Sequence, residues 1–318
     1  MEVFGESLRE DAADQAARAE RDGFDGVVAV DHFYSTRGSS PPRWRVEPLV
    51  SLGAAAATTS RIRLAAMVMN VNFHHPAVLA HAMASLDVLS RGRAELGLGS
   101  GWYGPEHTAF GLPWDGAPSR TERLLEAATV CRAMLRSRGV VEHHGSHFHV
   151  ENTVPWQWAA GDHAVPVVIG GAGENMLCRA AEIVDRVDLL HANRDGEAIV
   201  DEIHSRSKAR VEKLLAAVHA SAGAAGNAVK VSATLTAVVV SPAEAGVTRE
   251  RLAPSLHSSP ALLEGDLLYV VGSQDELLVK LGALASLGVD RVHVIPAGAD
   301  HAHTLSAVHD MLPDIHRL

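Results

Sequence analysis

Cysteine is scarce in this chain of 318 residues, which contains only Cys131 and Cys178, far apart in the sequence. Two isolated cysteines do not make a disulfide framework, so both are expected to be free, buried thiols in a reducing compartment. Positive charge is also scarce, because 38 acidic residues outnumber 28 basic ones and the net charge is −10. This balance argues against nucleic acid and anionic membranes as the main partners.

Long apolar segments are absent too. No run of 18 apolar residues occurs, so no membrane-spanning helix is expected. The first residues, Met1 to Glu6, lack the basic start and the apolar stretch of a signal peptide, and we therefore expect a cytoplasmic protein. No linker divides the chain apart from a short Ala/Gly-rich patch at residues 221–226, so residues 1–318 are expected to form a single domain.

The chain instead contains short apolar segments that alternate with helical patterns. The predicted strands are residues 3–4, 26–30, 62–68, 94–98, 165–169, 187–190, 229–240 and 290–295. The predicted helices are residues 8–22, 48–58, 76–90, 119–136, 177–183, 197–220, 273–287 and 305–312. Apolar strands that alternate with helices predict a covered parallel sheet, and eight such units favour an α/β fold of the (β/α)8 TIM barrel type over an open sheet.

Two insertions into this barrel are expected. The first follows strand 4, where the polar residues 139–164 indicate a small hairpin. The second follows strand 7, where residues 241–265 show no periodicity and are predicted to be irregular.

The segment from Leu96 to Glu106 is the most informative part of the chain. It ends the fourth predicted strand with glycines and continues with Trp102, Tyr103 and Glu106. Glycine has no Cβ, so a flat ligand can lie directly against the backbone. The segment is therefore predicted to form the floor of a binding site for a large planar molecule. Active sites in a TIM barrel lie where the strands end. The other candidates at such positions are Glu6, Asp31, His32, Met69, Asn70 and residues 170–173.

Asp31 and His32 place a carboxylate beside an imidazole at the end of the second strand. Such a carboxylate can hold the ring and tune its pKa for acid–base chemistry. The alternative is a helix-capping aspartate next to a packed histidine.

Residues 170–173, with the sequence Gly-Gly-Ala-Gly, precede a helical pattern. Bare amides at the start of a helix suit the phosphate of a cofactor. A full Gly-x-Gly-x-x-Gly fingerprint with a ribose-binding acid is absent, which disfavours a Rossmann fold.

Histidine is clustered in two polar segments, residues 143–149 and residues 301–303. A zinc site needs converging ligands, and neither a cysteine nor a spaced acid accompanies these histidines. Both segments are interpreted as solvated, and no metal site is expected.

Several segments, taken in order, resemble the luciferase-like monooxygenase superfamily. They are Gly23-Phe-Asp-Gly26 leading into Val30-Asp-His-Phe33, Asn70, His75-Pro-Ala-Val-Leu-Ala80, Leu86-Asp-Val-Leu-Ser-Arg-Gly-Arg93, Gly97-Leu-Gly-Ser-Gly-Trp-Tyr103 with Glu106, Ala109-Phe-Gly111, Pro166-Val-Val-Ile-Gly-Gly171 and Gly288-Val-Asp-Arg-Val292. The resemblance implies a (β/α)8 barrel that binds FMN or the deazaflavin coenzyme F420. Members carry out monooxygenation or hydride transfer.

The resemblance also implies roles for individual residues. His32 is expected to act on the substrate proton, and Asp31 is expected to lie against the cofactor. Glu6 matches a carboxylate that related dehydrogenases place near the substrate; the alternative is an ordinary glutamate before the first helix. A cis peptide bond between Met67 and Val68 is expected to form a bulge behind the cofactor ring. The remaining cofactor-binding residues are expected to be Asn70, Gly101, Trp102, Tyr103 and Glu106 near the ring, and Gly170, Gly171, Ala172 and Gly173 at the phosphate.

Three functions are open on this basis. The first is hydride transfer between coenzyme F420 and a small organic substrate, with His32 as acid or base. The second is an FMN-dependent monooxygenase that uses reduced flavin and O2, with a separate reductase as a partner. The third is a flavin-binding barrel without catalysis, which Asp31, His32 and Glu106 argue against. Family members are often homodimers, and the apolar helices at 48–58 and 76–90 are expected either to form that interface or to be buried against the barrel.

Overall fold

The computed structural model describes residues 1–9, 11–34, 44–153, 164–194, 197–297 and 300–318. Its strands are β1 (Glu2–Ser7), β2 (Gly26–Ala29), β3 (Arg63–Asn70), β4 (Ala94–Gly99), β5 (Val141–His144), β6 (His149–Thr153), β7 (Val167–Gly171), β8 (Arg186–Leu189), β9 (Ala192–Arg194), β10 (Glu197–Ile199), β11 (Lys230–Val239), β12 (Tyr269–Gly272) and β13 (Arg291–Pro296). The helices are α1 (Ala12–Asp22), α2 (Pro48–Thr58), α3 (Pro76–Ser90), α4 (Gly104–Ala109), α5 (Ala117–Arg136), α6 (Glu174–Ala181), α7 (Lys208–Ala224), α8 (Pro242–Leu252), α9 (Pro260–Gly265), α10 (Gln274–Ser286) and α11 (His301–Ile315), with a 3-10 turn at Ala253–Leu256.

Eight parallel strands form a closed barrel, in the order β1, β2, β3, β4, β7, β8, β11 and β13. The pairing of β8 with β11, from Arg186 opposite Lys230 to Leu189 opposite Ala233, closes the sheet. The predicted α/β TIM barrel is confirmed. A further strand that the sequence analysis missed, β12, pairs with the carboxyl-terminal half of β11.

The helices pack on the outside of this barrel. Outward-facing strand residues such as Leu64 and Leu96 share one continuous apolar core with helix residues such as Leu52 and Met83. Helices α2 and α3 have the bounds that the sequence predicted, because each has a proline in its first turn, where no backbone N–H is needed. Among the described residues, no helix is both long and apolar enough to span a bilayer.

Two predicted segments were wrong. The helix expected at residues 197–220 begins only at Lys208, because residues 197–199 form β10, which pairs with β9. Residues 241–265, expected to be irregular, contain α8 and α9. The start of α8 is a capping box in which the side chains of Ser241 and Glu244 satisfy each other's backbone N–H groups, a signal that the sequence contains.

The first insertion is confirmed as a hairpin in the connection between β4 and β7. Strands β5 and β6 pair in antiparallel fashion. The hairpin is anchored on α5 by Glu126, whose carboxylate accepts the backbone N–H of His147 (3.1 Å) and of Phe148 (2.7 Å). Residues 154–163, the later part of this insertion, lie outside the described residues.

Paired charges fill the amino-terminal end of the barrel. Glu95 is 1% exposed and accepts hydrogen bonds from Arg63 (3.0 Å) and from Arg291. Burial alone would raise the pKa of Glu95, but the two arginine charges outweigh burial and lower the pKa below its usual value. A charged cleft of about 770 Å³ opens at this end, and Arg186 pairs with Asp290 at its edge. In TIM barrels this face serves stability and the opposite face serves chemistry.

Candidate active site

The carboxyl-terminal end of the barrel brings His32 against a buried carboxylate. His32 Nδ1 lies 2.6 Å from Oε2 of Glu106, which is the third residue of α4. The His32 side chain is 18% exposed and that of Glu106 is 1% exposed. The other oxygen of Glu106 accepts the backbone N–H of Phe33 at 2.8 Å. Among the residues that the structure describes, His32 Nε2 has no hydrogen-bond partner, so this nitrogen is available to a ligand.

Asp31 does not hold its sequence neighbour. Its Oδ2 accepts the backbone N–H of Asn70 at 2.8 Å and lies 2.8 Å from Nε2 of His74. Burial lowers the pKa of His74, but the hydrogen bond and the charge of Asp31 outweigh burial, and the pKa is raised above its usual value. The expectation that Asp31 orients His32 was therefore wrong: Asp31 is engaged by Asn70 and His74, and His32 by Glu106, beyond the end of β2 where the chain turns and His32 N donates to Val30 O.

Asn70, whose backbone N–H Asp31 accepts, also forms hydrogen bonds through its side chain. Its Nδ2 donates to Nε2 of His107 at 3.1 Å, and its Oδ1 accepts the side-chain amide of Asn72 at 2.7 Å. His107 is completely buried, and its Nδ1 donates to the carbonyl of Pro113 at 2.7 Å. Since Asn70 Nδ2 can only donate and the carbonyl of Pro113 can only accept, Nε2 of His107 carries the lone pair and Nδ1 the proton, and burial lowers the pKa of this ring. Neither His74 nor His107 was predicted as a site residue from the sequence, although His107 directly follows Glu106.

The expected cis peptide bond between Met67 and Val68 is present. The register of β3 against β4 shifts between Ala66 and Met69, so the bond forms a bulge. A Cβ on Gly99 would lie 2.5 Å from Val68 Cγ2, and a Cβ on Gly170 would lie 3.0 Å from Val68 Cγ1. Gly99 and Gly170 therefore make room for the side chain of Val68. The sequence had instead suggested that the missing Cβ atoms make room for a ligand.

Gly101, two residues after the end of β4, adopts the left-handed conformation with φ of +73°. A Cβ there would lie 2.8 Å from Asn70 Nδ2. Trp102 follows, and its ring meets the His32 ring edge to face with centroids 5.5 Å apart. The glycine therefore lets the loop turn closely over the asparagine and bring the tryptophan to the histidine.

The segment from Gly170 to Gly173 leads from β7 into α6, with Gly173 as the N-cap residue. Nothing lies within 4 Å of the position that a Cβ would take on Gly173, whereas Met176 covers Gly171. Arg206 donates to the carbonyl of Ala172 at 2.6 Å. Amides in the first turn of a helix and a neighbouring guanidinium are groups that bind an anion, and here Glu174 places a carboxylate in the same turn.

Aromatic side chains form a rim beside His32. The ring of Phe33 stacks on Phe110 with centroids 3.9 Å apart and tilts against Phe73 at 4.7 Å. Tyr34 meets Tyr103 edge to face at 6.3 Å. Glu6 lies in β1, but its side chain is outside the described part of the structure, so its predicted role stays a prediction.

Comparison with known proteins identifies the family. The profile of the family described as luciferase-like monooxygenase matches residues 5–291, and the chain belongs to this family. An F420-dependent glucose-6-phosphate dehydrogenase of Kineococcus radiotolerans is 34% identical over 199 residues, which cover 58% of this chain and 57% of that protein. One of the same description from Amycolatopsis mediterranei is 32% identical over 184 residues, 54% of each chain. The matched region thus spans about half the length of these curated relatives.

Solved structures share the fold over their whole length. An F420-dependent secondary alcohol dehydrogenase in complex with an F420–acetone adduct has a TM-score of 0.79 and 18% identity, covering 99% of this chain and 98% of that one. A monooxygenase from Streptomyces bottropensis has a TM-score of 0.74 and 21% identity, covering 100% of both chains. Identities of this size show the common barrel and no shared reaction.

Proposed function

We propose that the protein is an oxidoreductase that transfers a hydride between coenzyme F420 and a small organic substrate. The observation that carries the proposal is the partly buried hydrogen bond between His32 and the buried carboxylate of Glu106 at the mouth of the barrel. A carboxylate that accepts from Nδ1 leaves Nε2 without a proton in the neutral ring, as an acid–base group requires. The curated relatives described as F420-dependent dehydrogenases support the choice of cofactor.

The residues at the mouth fit a flat ring that carries a phosphate. We assign the bulge at Met67 and Val68 and the ring of Trp102 to the deazaflavin, with Gly101 and Tyr103 shaping the same wall. The open first turn of α6 at Gly173, with Gly170, Gly171 and Ala172, is assigned to the phosphate. Asn70 and Asp31 support this wall through the hydrogen bond between them.

His32 moves the proton in the proposed reaction. When an alcohol is oxidised, Nε2 accepts the proton of the hydroxyl group, while the hydride leaves the carbon that bears this group. The imidazolium that forms is stabilised by the Glu106 carboxylate 2.6 Å from Nδ1. The deazaflavin supplies the hydride acceptor when bound. Glu106 is therefore a positioning residue for His32 rather than a cofactor ligand, because both its oxygens already accept from the protein.

A binding measurement distinguishes the proposed F420-dependent oxidoreductase from the alternative FMN-dependent monooxygenase. Titrating the protein with each cofactor and following tryptophan fluorescence should show quenching by F420, because Trp102 lies in the ring site. Glucose 6-phosphate and simple secondary alcohols are the first substrates to assay, by the change in F420 absorbance. Tight binding of FMN with none of F420 would overturn the proposal and favour the monooxygenase with its separate reductase.

We further propose that the protein is a homodimer. Helices α2 and α3 expose apolar side chains to solvent, with Val50 at 64%, Val78 at 66% and Leu89 at 73%. Exposed apolar side chains on neighbouring helices are typical of an interface. Sedimentation should show a dimer, and Leu89→Glu should shift it toward the monomer. The single domain and the cytoplasmic location stay predictions.

A further inference from the structure

The hairpin β5–β6 brings two histidines together on its exposed face. His144 ends β5, His149 begins β6, and the two are a cross-strand pair. Their Nδ1 atoms lie 3.0 Å apart, with ring centroids at 4.4 Å. Directly opposed residues of an antiparallel pair project from the same face. The interpretation of this segment as solvated agrees with the exposed side chains, but the convergence of the two rings beside Glu151 was not predicted, because it depends on the strand pairing.

A carboxylate orients one of the two rings. Oε1 of Glu151, two residues further along β6, lies 2.8 Å from Nε2 of His149. Since a carboxylate only accepts, this contact assigns the ring proton of His149 to Nε2, so the Nδ1 lone pair faces His144, whose Nδ1 donates to it until an ion takes the place of that proton. Metal-binding histidines usually donate their second nitrogen to a carboxylate in this way. Ligand atoms of the three residues all lie within 4.8 Å of one another.

The hairpin that carries these residues is fixed on the barrel. Glu126 of α5 lies 3.2 Å from Nε2 of His143, in addition to the two backbone N–H groups that it accepts. The side chains of Phe148 and Val150 are buried in the core on the inner face. Anchoring of this kind holds the outer face in place, so little conformational freedom is lost when an ion binds.

We propose that His144 and His149 bind Zn²⁺ through their Nδ1 atoms, with Glu151 orienting His149. Two imidazoles on a tetrahedral zinc, each about 2.0–2.1 Å from the ion, stand about 3.3 Å apart. The observed 3.0 Å therefore needs only a small opening of the pair. Water fills the remaining positions, since all three side chains are exposed. The site shares no residue with the redox site.

Zinc competition measures the site directly. Protein without a polyhistidine tag is titrated against a chromophoric zinc chelator, and one equivalent is expected to bind. Glu151→Ala is expected to weaken binding about tenfold by releasing the His149 ring. His149→Ala removes a ligand and is expected to weaken binding further than that. Zinc should also raise the melting temperature of the wild type and not of His149→Ala, because the ion binds only the folded hairpin.

A matched control variant distinguishes zinc binding at this site from zinc binding by single histidines elsewhere on the surface. His219, exposed on α7, lies away from the hairpin, and His219→Ala is expected to bind zinc like the wild type. The proposal fails if the wild type binds no zinc. It also fails if the double variant His144→Ala/His149→Ala keeps wild-type affinity, or if His219→Ala loses as much affinity as His149→Ala.

Discussion

Replacing Glu106 by glutamine tests how His32 is held. The carboxylate accepts from His32 Nδ1 at 2.6 Å and from Phe33 N at 2.8 Å, one bond on each oxygen. Glutamine has the same shape but only one acceptor oxygen. The backbone N–H of Phe33 cannot change its role, so the amide oxygen stays with it and the amide NH2 faces Nδ1. His32 then carries its proton on Nε2.

The size of the effect follows from this reversal. When Nε2 carries a proton instead of a lone pair, it cannot accept the proton of the substrate. Reversing the tautomer of a catalytic imidazole, or losing a general base, lowers kcat by about two to four orders of magnitude. That loss corresponds to about 3–5 kcal/mol of barrier. Binding of coenzyme F420 should be unchanged, because Glu106 is buried behind His32.

Three measurements check this prediction together: kcat for F420 reduction, F420 affinity by fluorescence, and the ¹⁵N NMR shifts of His32. The NMR spectrum should show protonated Nδ1 in the wild type and protonated Nε2 in Glu106→Gln. Glu122→Gln is the control, because Glu122 is an exposed glutamate paired with Arg179. A Glu106→Gln variant with kcat within about tenfold of the wild type and Nδ1 still protonated would refute the reasoning.

Three further predictions concern binding and stability. Gly173→Asp adds a charge where nothing lies within 4 Å, so it should weaken F420 binding without unfolding the protein; Gly173→Ala, titrated in parallel, should bind normally. Gly99→Ala places a Cβ 2.5 Å from Val68, and thermal unfolding should show a loss of about 1–3 kcal/mol. Burial raises the pKa of Glu20, but the N–H groups of residues 60–62 outweigh burial and lower it to about 2. Its stabilisation is therefore complete above the usual value near 4.5 and is lost as pH falls toward 2. Urea unfolding should show Glu20→Gln about 1 kcal/mol less stable at pH 7 and equally stable near pH 2, after allowing for solvent screening.

The barrel could be predicted from the sequence because its strands are buried on both faces. Such strands are continuous apolar runs, and a helical pattern follows nearly every one. Helices α2 and α3 were predicted to the residue because proline marks their starts. Strand β12 was missed although its residues continue an apolar run that begins at Leu267, the same signal that predicted β2 and β8, which have the same length.

The sequence placed the candidate residues at the ends of barrel strands, but it did not predict which of them pair. Sequence adjacency favoured Asp31 as the partner of His32, while the structure pairs His32 with Glu106, 74 positions away. Likewise, His144 and His149 converge only because a hairpin turns between them. Contacts of this kind depend on the register and curvature of strands, which apolar periodicity does not specify.

The described contacts of the segment from Leu96 to Glu106 are mainly with other residues of the candidate site. Gly99 makes room for Val68, Gly101 turns closely over Asn70, and Glu106 holds His32 from a fully buried position. These contacts shape a wall and hold the proposed base, His32, and none of them distinguishes a deazaflavin from a flavin. The segment can therefore serve either cofactor, so the choice between F420 and FMN must come from residues that touch the ring edge or the tail. This is why cofactor titration, rather than mutation of this segment, decides between the two reactions.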